Sequence, residues 1–290
     1  MSLPERHKVD ELVALYELEP SLRDVYVEGE TDEAFFDWFF SHVGTSKVEV
    51  KGIRSVDVPA EAVARYDCEV SNRGRLITLA HELEKELGSG ALNVTCVVDA
   101  DFDLVLEKSY HCALLLLTDY SSLELYSFTT STLSKLLKVV VMGFPQSGAA
   151  VITAIRVPLI EAFALRMTNK VLGWNMPWQP IEKCCEVAGS VVKFDTKKYI
   201  SRYLQAAGRF GDRQQFQEAL GRSRGMLKGD ERRFIHGHDF VDMLVWYLRQ
   251  HKGFRSVSKL MIERALFACI ESGSIASEPT LRALLQRTAP

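Results

Sequence analysis

Along the first half of the chain, short apolar runs alternate with stretches of helical periodicity. "DVYVEG" is a β-branched and aromatic run ending at Gly29, and it predicts a strand. "TDEAFFDWFFSHVG" follows, with Ala34, Phe35, Trp38 and Phe39 spaced for one helical face and Gly44 as its stop. "KVEVKGI" predicts a second strand, and Leu76, Leu79, Ala80, Leu83 and Leu87 predict a helix from Asn72 to Leu87, ended by Gly88. "NVTCVVDAD" and "HCALLLLTD" read as third and fourth strands whose continuous apolar cores suit burial on both faces. Beyond about Ser122 strand signals thin out. Helical spacing covers 149–170, 196–208, 212–221, 238–250, 256–271 and 277–287, with turns at Gly173, Pro177, Gly189, Gly211 and Gly253.

Strands alternating with helices of this length predict right-handed crossovers and a mostly parallel sheet flanked by helices. The fold class expected is α/β, followed by a mainly helical region. A boundary between 125 and 150 divides the chain into 1–135 and 136–290.

Composition narrows the partners. Of 290 residues, 47% are hydrophobic and 25% charged, as in an ordinary globular protein. The net charge of -3 means that nucleic-acid contact would need a local basic patch. "MSLPERHKVDELV" lacks the apolar core of a secretory signal. The apolar region 136–165 is interrupted by Lys138, Pro145, Gln146, Arg156 and Pro158, whereas a membrane span needs roughly 20 apolar residues in a row. The six cysteines show no CxxC pair and no zinc-type spacing with histidine, which fits a reducing cytoplasm.

Three expected strands end in acid. The first ends at Glu28, with Glu30 and Asp32 behind it; the third runs into Asp99, Asp101 and Asp103; the fourth ends at Asp119, with Glu124 beyond. In an open parallel sheet, ligands bind past the carboxyl ends of the strands. Carboxylates converging there repel one another unless they protonate or share a cation. Oxygen-only donors suit Mg²⁺ or Mn²⁺ better than zinc. Any one of these acids could equally be a turn residue, but three clusters at equivalent strand ends favour a metal site.

"VYVEGETD" and "VVDADFD", a glutamate after the first strand and a DxD after the third, resemble the Toprim signature. With "LTDYSSLE" and "IHGHDFVDML", the chain resembles the Toprim family that includes the effector of the PARIS anti-phage defence system. More distantly it is similar to the overcoming-lysogenization-defect (OLD) nucleases. The resemblance implies a Toprim-like metal-binding catalytic domain over 1–135. It also implies a helical domain over 136–290 for partner, dimer or nucleic-acid contacts. It implies Glu28 as metal ligand and general base, and Asp99 and Asp101 as principal ligands. Glu124 would serve a second ion, with Asp32, Asp103 and Asp119 in support. The implied activity is Mg²⁺-dependent phosphodiester hydrolysis, with transfer RNA as substrate and an ABC-type ATPase holding the effector inactive. A homodimer is expected. Two other readings stay open: an OLD-like DNA endonuclease, and a non-catalytic metal-binding sensor or scaffold.

Residues 193–233 hold eleven Lys or Arg against five Asp or Glu. Lys197, Lys198, Arg202, Arg209, Arg213, Arg222 and Arg224 are the candidate phosphate contacts, interleaved with Phe194, Tyr199, Tyr203, Phe210 and Phe216. Amphipathic helices with solvated basic faces and aromatic cores would give the same pattern. "FIHGHDF" places His236, His238 and Asp239 at an expected helix start. "GFPQSGAA" lacks the lysine of a P-loop.

Overall fold

The computed structural model describes residues 6–44, 48–91 and 93–289. Lys47, where the second expected strand begins, and the first five residues lie outside the described residues. The chain forms two compact units, one of residues 1–100, 109–119 and 271–290, the other of 101–108 and 120–270. In place of one cut at 135/136, the chain crosses between units several times.

The first unit is α/β. It begins with β1 (His7–Lys8), α1 (Val9–Leu18), β2 (Arg23–Val27), α2 (Glu30–Val43), β3 (Val48–Gly52) and β4 (Val56–Asp57). α3 (Ala60–Arg65), α4 (Asn72–Leu87), β5 (Val94–Val98) and β6 (Leu115–Leu117) follow. The main sheet has four parallel strands in the order β3-β2-β5-β6, and β1 pairs separately with β4. All five residues of β5 are buried, as expected of a central parallel strand covered on both faces. The core joins Leu12 and Tyr16 of α1, Tyr26 of β2, Leu76, Leu79 and Leu83 of α4, and Val94, Cys96 and Val98 of β5. The α2 helix buries Phe35, Phe36, Phe39 and Phe40, a face rotated from the one expected, which leaves Ala34 exposed.

Within this core Asp24 is almost wholly buried. It accepts hydrogen bonds from Lys51 Nζ (2.7 Å) and Tyr16 OH (2.8 Å), so its charge is paired inside the sheet. Removing one member of a buried pair costs about 3–5 kcal/mol. Burial pushes the Tyr16 hydroxyl well above the usual phenol range, so it stays a donor.

In the second unit come α5 (Thr130–Lys135), a π-helical turn Leu136–Val141, α6 (Gly148–Val171), β7 (Cys185–Ala188), β8 (Val191–Phe194) and α7 (Thr196–Ala206). They are followed by α8 (Arg213–Met226), α9 (Gly237–Arg249) and α10 (Lys259–Cys269). The hairpin β7–β8 is antiparallel and turns at Gly189, in a region where the sequence predicts only helices and turns. By length and composition α6 could cross a membrane, with a mean hydropathy of 1.7 over its most apolar window. That window is 56% buried, and Val151, Ile155, Leu159 and Phe163 sit in the interior, the pattern of a core helix. Segment 101–108 joins this unit because Phe102 packs on Phe163 of α6, ring centroids 5.0 Å apart, beside Met167 and Phe234.

The chain then returns to the first unit as α11 (Ser272–Ile275) and α12 (Pro279–Thr288). Thr280 anchors α12 by donating its hydroxyl to Leu117 O at 2.7 Å, which is why the C-terminus belongs with the sheet.

Candidate metal centre

The site in the first unit grows from the carboxyl ends of two neighbouring strands. Parallel pairing sets Tyr26 of β2 opposite Cys96 of β5, so both strands finish at the same rim. Glu28 follows β2 and Asp99 follows β5. Across the gap Glu28 Oε1 accepts a hydrogen bond from the Asp99 N–H at 3.1 Å.

The first turn of α4 holds this pair from behind. Asn72 Nδ2 donates to Glu28 O at 3.1 Å, and Arg73 Nε donates to Asp99 O at 3.0 Å. Arg73 is itself placed by Tyr110, whose hydroxyl accepts from Nη1 at 3.3 Å. Ser71 starts α4 by accepting from the Gly74 N–H at 3.1 Å. The chain also passes so close to Gly74 that a Cβ there would collide with the carbonyl of Glu69. Neither Asn72 nor Arg73 stood out in the sequence. The available signal was topological: a helix leading into a parallel strand starts at the rim where the strands end.

The other predicted acids are distributed unevenly. Asp32 lies in the first turn of α2, where its Oδ2 accepts from the Gly29 N–H at 3.0 Å. Glu30, next to Gly29, pairs with Arg54. Asp119 turns its carboxylate to the start of α12, with its two oxygens 3.0 and 3.2 Å from Thr280 N. Thr280 Oγ donates to it as well, at 3.1 Å. Glu28, Asp32, Asp99 and Asp119 therefore share the first unit.

Asp101, Asp103 and Glu124 belong to the second unit. Asp101 has a φ of 46°, a left-handed conformation uncommon outside glycine, and its N–H donates to Ser121 O at 2.7 Å. Asp103 is buried, at 8% exposure. Glu124 opens the 3-10 turn Leu123–Ser127 and rests on the first residue of α9. A Cβ on Gly237 would clash with both Glu124 Oε2 and Ser122 Oγ, so that position accommodates only glycine without movement. His238 Nδ1 lies 3.9 Å from Glu124 Oε1.

The rest of the "HGHD" segment serves packing. Asp239 receives two hydrogen bonds from Arg166, at 2.7 and 2.8 Å, and a third from Trp178 Nε1 at 3.2 Å. The Arg166 guanidinium also lies over the Trp178 ring, 3.9 Å from its centre. His236 Nδ1 is buried with no hydrogen-bond partner. Burial, reinforced by the nearby Arg166 charge, pushes the His236 imidazole down to about 4, so it is neutral at ordinary pH.

The basic region splits along similar lines. Tyr199, Tyr203 and Phe216 are buried in the core and present no face for stacking on bases, whereas Phe210 is 57% exposed. Arg224 is tied to Glu161 by two hydrogen bonds, and Arg209 lies over Trp174 and reaches Asp212 at 3.1 Å. Arg213 is half-buried, while Lys197, Lys198, Arg202 and Arg222 are exposed.

Glu28 and Asp99 at adjoining strand ends, with Asp32 in the first turn of α2, carry oxygen donors, the type a hard divalent ion such as Mg²⁺ takes. No protein-family model matches the chain, and no curated protein matches it.

Proposed function

We propose that the chain is a Toprim-type, Mg²⁺-dependent nuclease that hydrolyses phosphodiester bonds. The observation that carries this reading is the Glu28–Asp99 contact at the ends of two adjacent parallel strands. It brings the residues Glu28 and Asp99 together at the carboxyl ends of the strands, the edge that supports a ligand site in an open α/β sheet. When bound, Mg²⁺ or Mn²⁺ polarises the phosphate and lowers the pKa of a coordinated water. Asp99 would hold the ion in this reading, and Glu28 would take the proton from the attacking water as general base. The hydrogen bond from the Asp99 amide fixes one Glu28 oxygen at the strand rim. Asn72 and Arg73 position the two acids through their carbonyls.

The substrate in this proposal is RNA, with transfer RNA as the resemblance implies, and the exposed Lys197, Lys198, Arg202 and Arg222 are its candidate phosphate contacts. The protein would act in the cytoplasm as a homodimeric effector of a phage-defence system, restrained by an ABC-type ATPase. The deciding experiment incubates the purified chain and Mg²⁺ with total RNA and, separately, with supercoiled plasmid. Cleavage of RNA that is lost in Glu28→Gln supports the proposal, and cleavage of plasmid alone moves the assignment to an OLD-like DNA endonuclease. No cleavage of either leaves the sensor or scaffold reading. The helix-start contacts of Asp32 and Asp119 favour that second reading, since both carboxylates already serve the fold.

A further inference from the structure

About two turns along α4 from Arg73 stands a second group of metal-ligating side chains, of different chemistry. His81 and Glu84 lie three residues apart, which puts them on one helix face. Cys112, from the segment leading into β6, meets them there. The ligand atoms of the three residues all lie within 4.8 Å of one another, and all three side chains are half-buried. Nothing in the sequence joins them, because Cys112 is far along the chain and forms no motif with either partner.

Two of the three are held in orientation by groups that would not be ligands. Glu84 Oε1 accepts a hydrogen bond from the Ala113 N–H at 2.7 Å, and its carboxylate also hydrogen-bonds the Cys112 thiol. The His81 ring stacks on Tyr66, centroids 4.8 Å apart and planes 13° from parallel. Tyr66 is fixed in turn by its hydroxyl, which donates to Glu82 Oε1 at 2.9 Å. Metal sites are commonly built this way, with outer contacts setting the direction of each ligand.

We propose that His81, Glu84 and Cys112 form a site for a borderline divalent ion of the zinc type, which ties α4 to the segment before β6. One nitrogen, one oxygen and one sulfur donor suit zinc and exclude Mg²⁺, which takes oxygen ligands. Three protein ligands leave a fourth tetrahedral position for water. Burial pushes the Cys112 thiol up to about 11, so binding must displace its proton. The half-buried Arg287, which interacts electrostatically with Cys112, works against a second cation. The carboxylate and the ionised thiol supply two negative charges to offset it. The ion would brace the helix whose first turn holds the Glu28 and Asp99 carbonyls. The site stands independently of the nuclease reading.

The test uses the full chain, stripped with EDTA, kept reduced and titrated with Co²⁺ as a spectroscopic stand-in for zinc. The expected result is near-ultraviolet thiolate-to-cobalt charge-transfer absorption with visible bands of tetrahedral intensity, both removed by added Zn²⁺. Cys112→Ser should lose the charge-transfer absorption. His81→Gln should weaken binding by about tenfold or more, and Glu28→Gln should leave the spectrum unchanged. Circular dichroism of metal-free Cys112→Ser checks its folding; if it does not fold, the His81→Gln titration decides. Cobalt binding by the wild-type chain without charge-transfer absorption overturns the proposal. So does charge-transfer absorption that survives in folded Cys112→Ser, or unchanged affinity in His81→Gln.

Discussion

Glu28 and Asp99 meet across the ends of two neighbouring strands, the carboxylate of one accepting a hydrogen bond from the backbone N–H of the other at 3.1 Å. Glutamine can keep that acceptor while losing the charge. Glu28→Gln should therefore fold with nearly unchanged thermal stability, yet lose Mg²⁺-dependent cleavage by about 10²-fold or more. Parallel melting curves and initial rates on the same preparation separate the two effects. Equal rates in the variant and the wild type would remove Glu28 from the chemistry.

Gly237 gives a second prediction, because its Cα lies against Glu124 and Ser122. Gly237→Ala must push the Glu124 carboxylate aside or shift the start of α9. Overpacking of this kind costs about 1–3 kcal/mol. Urea denaturation should show the loss, and Gly237→Ala combined with Glu124→Ala should recover part of it, since the two changes share one space.

The Arg166–Asp239 pair lies largely inside the second unit, with side-chain exposures of only 20% and 7%. Asp239→Ala strands the guanidinium and should destabilise by about 3–5 kcal/mol. Replacing both residues, as Arg166→Met with Asp239→Leu, should cost less than Asp239→Ala alone, because no charge is left unpaired. Chemical denaturation of the three variants checks the order.

His236 makes the stability depend on pH in a defined direction. Its imidazole is pushed down to about 4, first by burial and then by Arg166, with Asp239 opposing and His238 adding to the shift. An unfolded histidine takes its proton near pH 6.5, so between these values the unfolded chain binds more protons than the folded one. Stability contributed by the neutral ring is present above pH 6.5 and falls as the pH drops toward 4, by on the order of 3 kcal/mol in all. Melting temperatures of wild type and His236→Gln, followed from pH 7 to pH 4.5, should differ in slope. Identical slopes would show that this ring does not govern the acid limb.

Much of the secondary structure was legible because single segments encode it. Leu76, Leu79 and Leu83 with Gly88 mark α4 from Asn72 to Leu87, and the apolar runs of β2 and β5 mark buried parallel strands. The β7–β8 hairpin was not legible. Its strands are four residues each, and their exposed Val187 and Val191 break the pattern of a buried run. The aromatics of 193–233 show the same limit, since spacing cannot say whether Tyr199 or Phe210 faces the core.

Local patterning by itself determined an α/β chain with helices beyond it and acids at the ends of its strands. The tertiary structure decided which of those acids meet. Strand order brought Glu28 to Asp99, whereas the start of α12 drew on Asp119 and the start of α9 closed on Glu124. It also returned 271–290 to the sheet and carried Cys112 to His81 and Glu84. The reason is physical: periodicity reports which side of an element is apolar, but contacts between distant segments depend on how those sides pack, and no single segment contains that information.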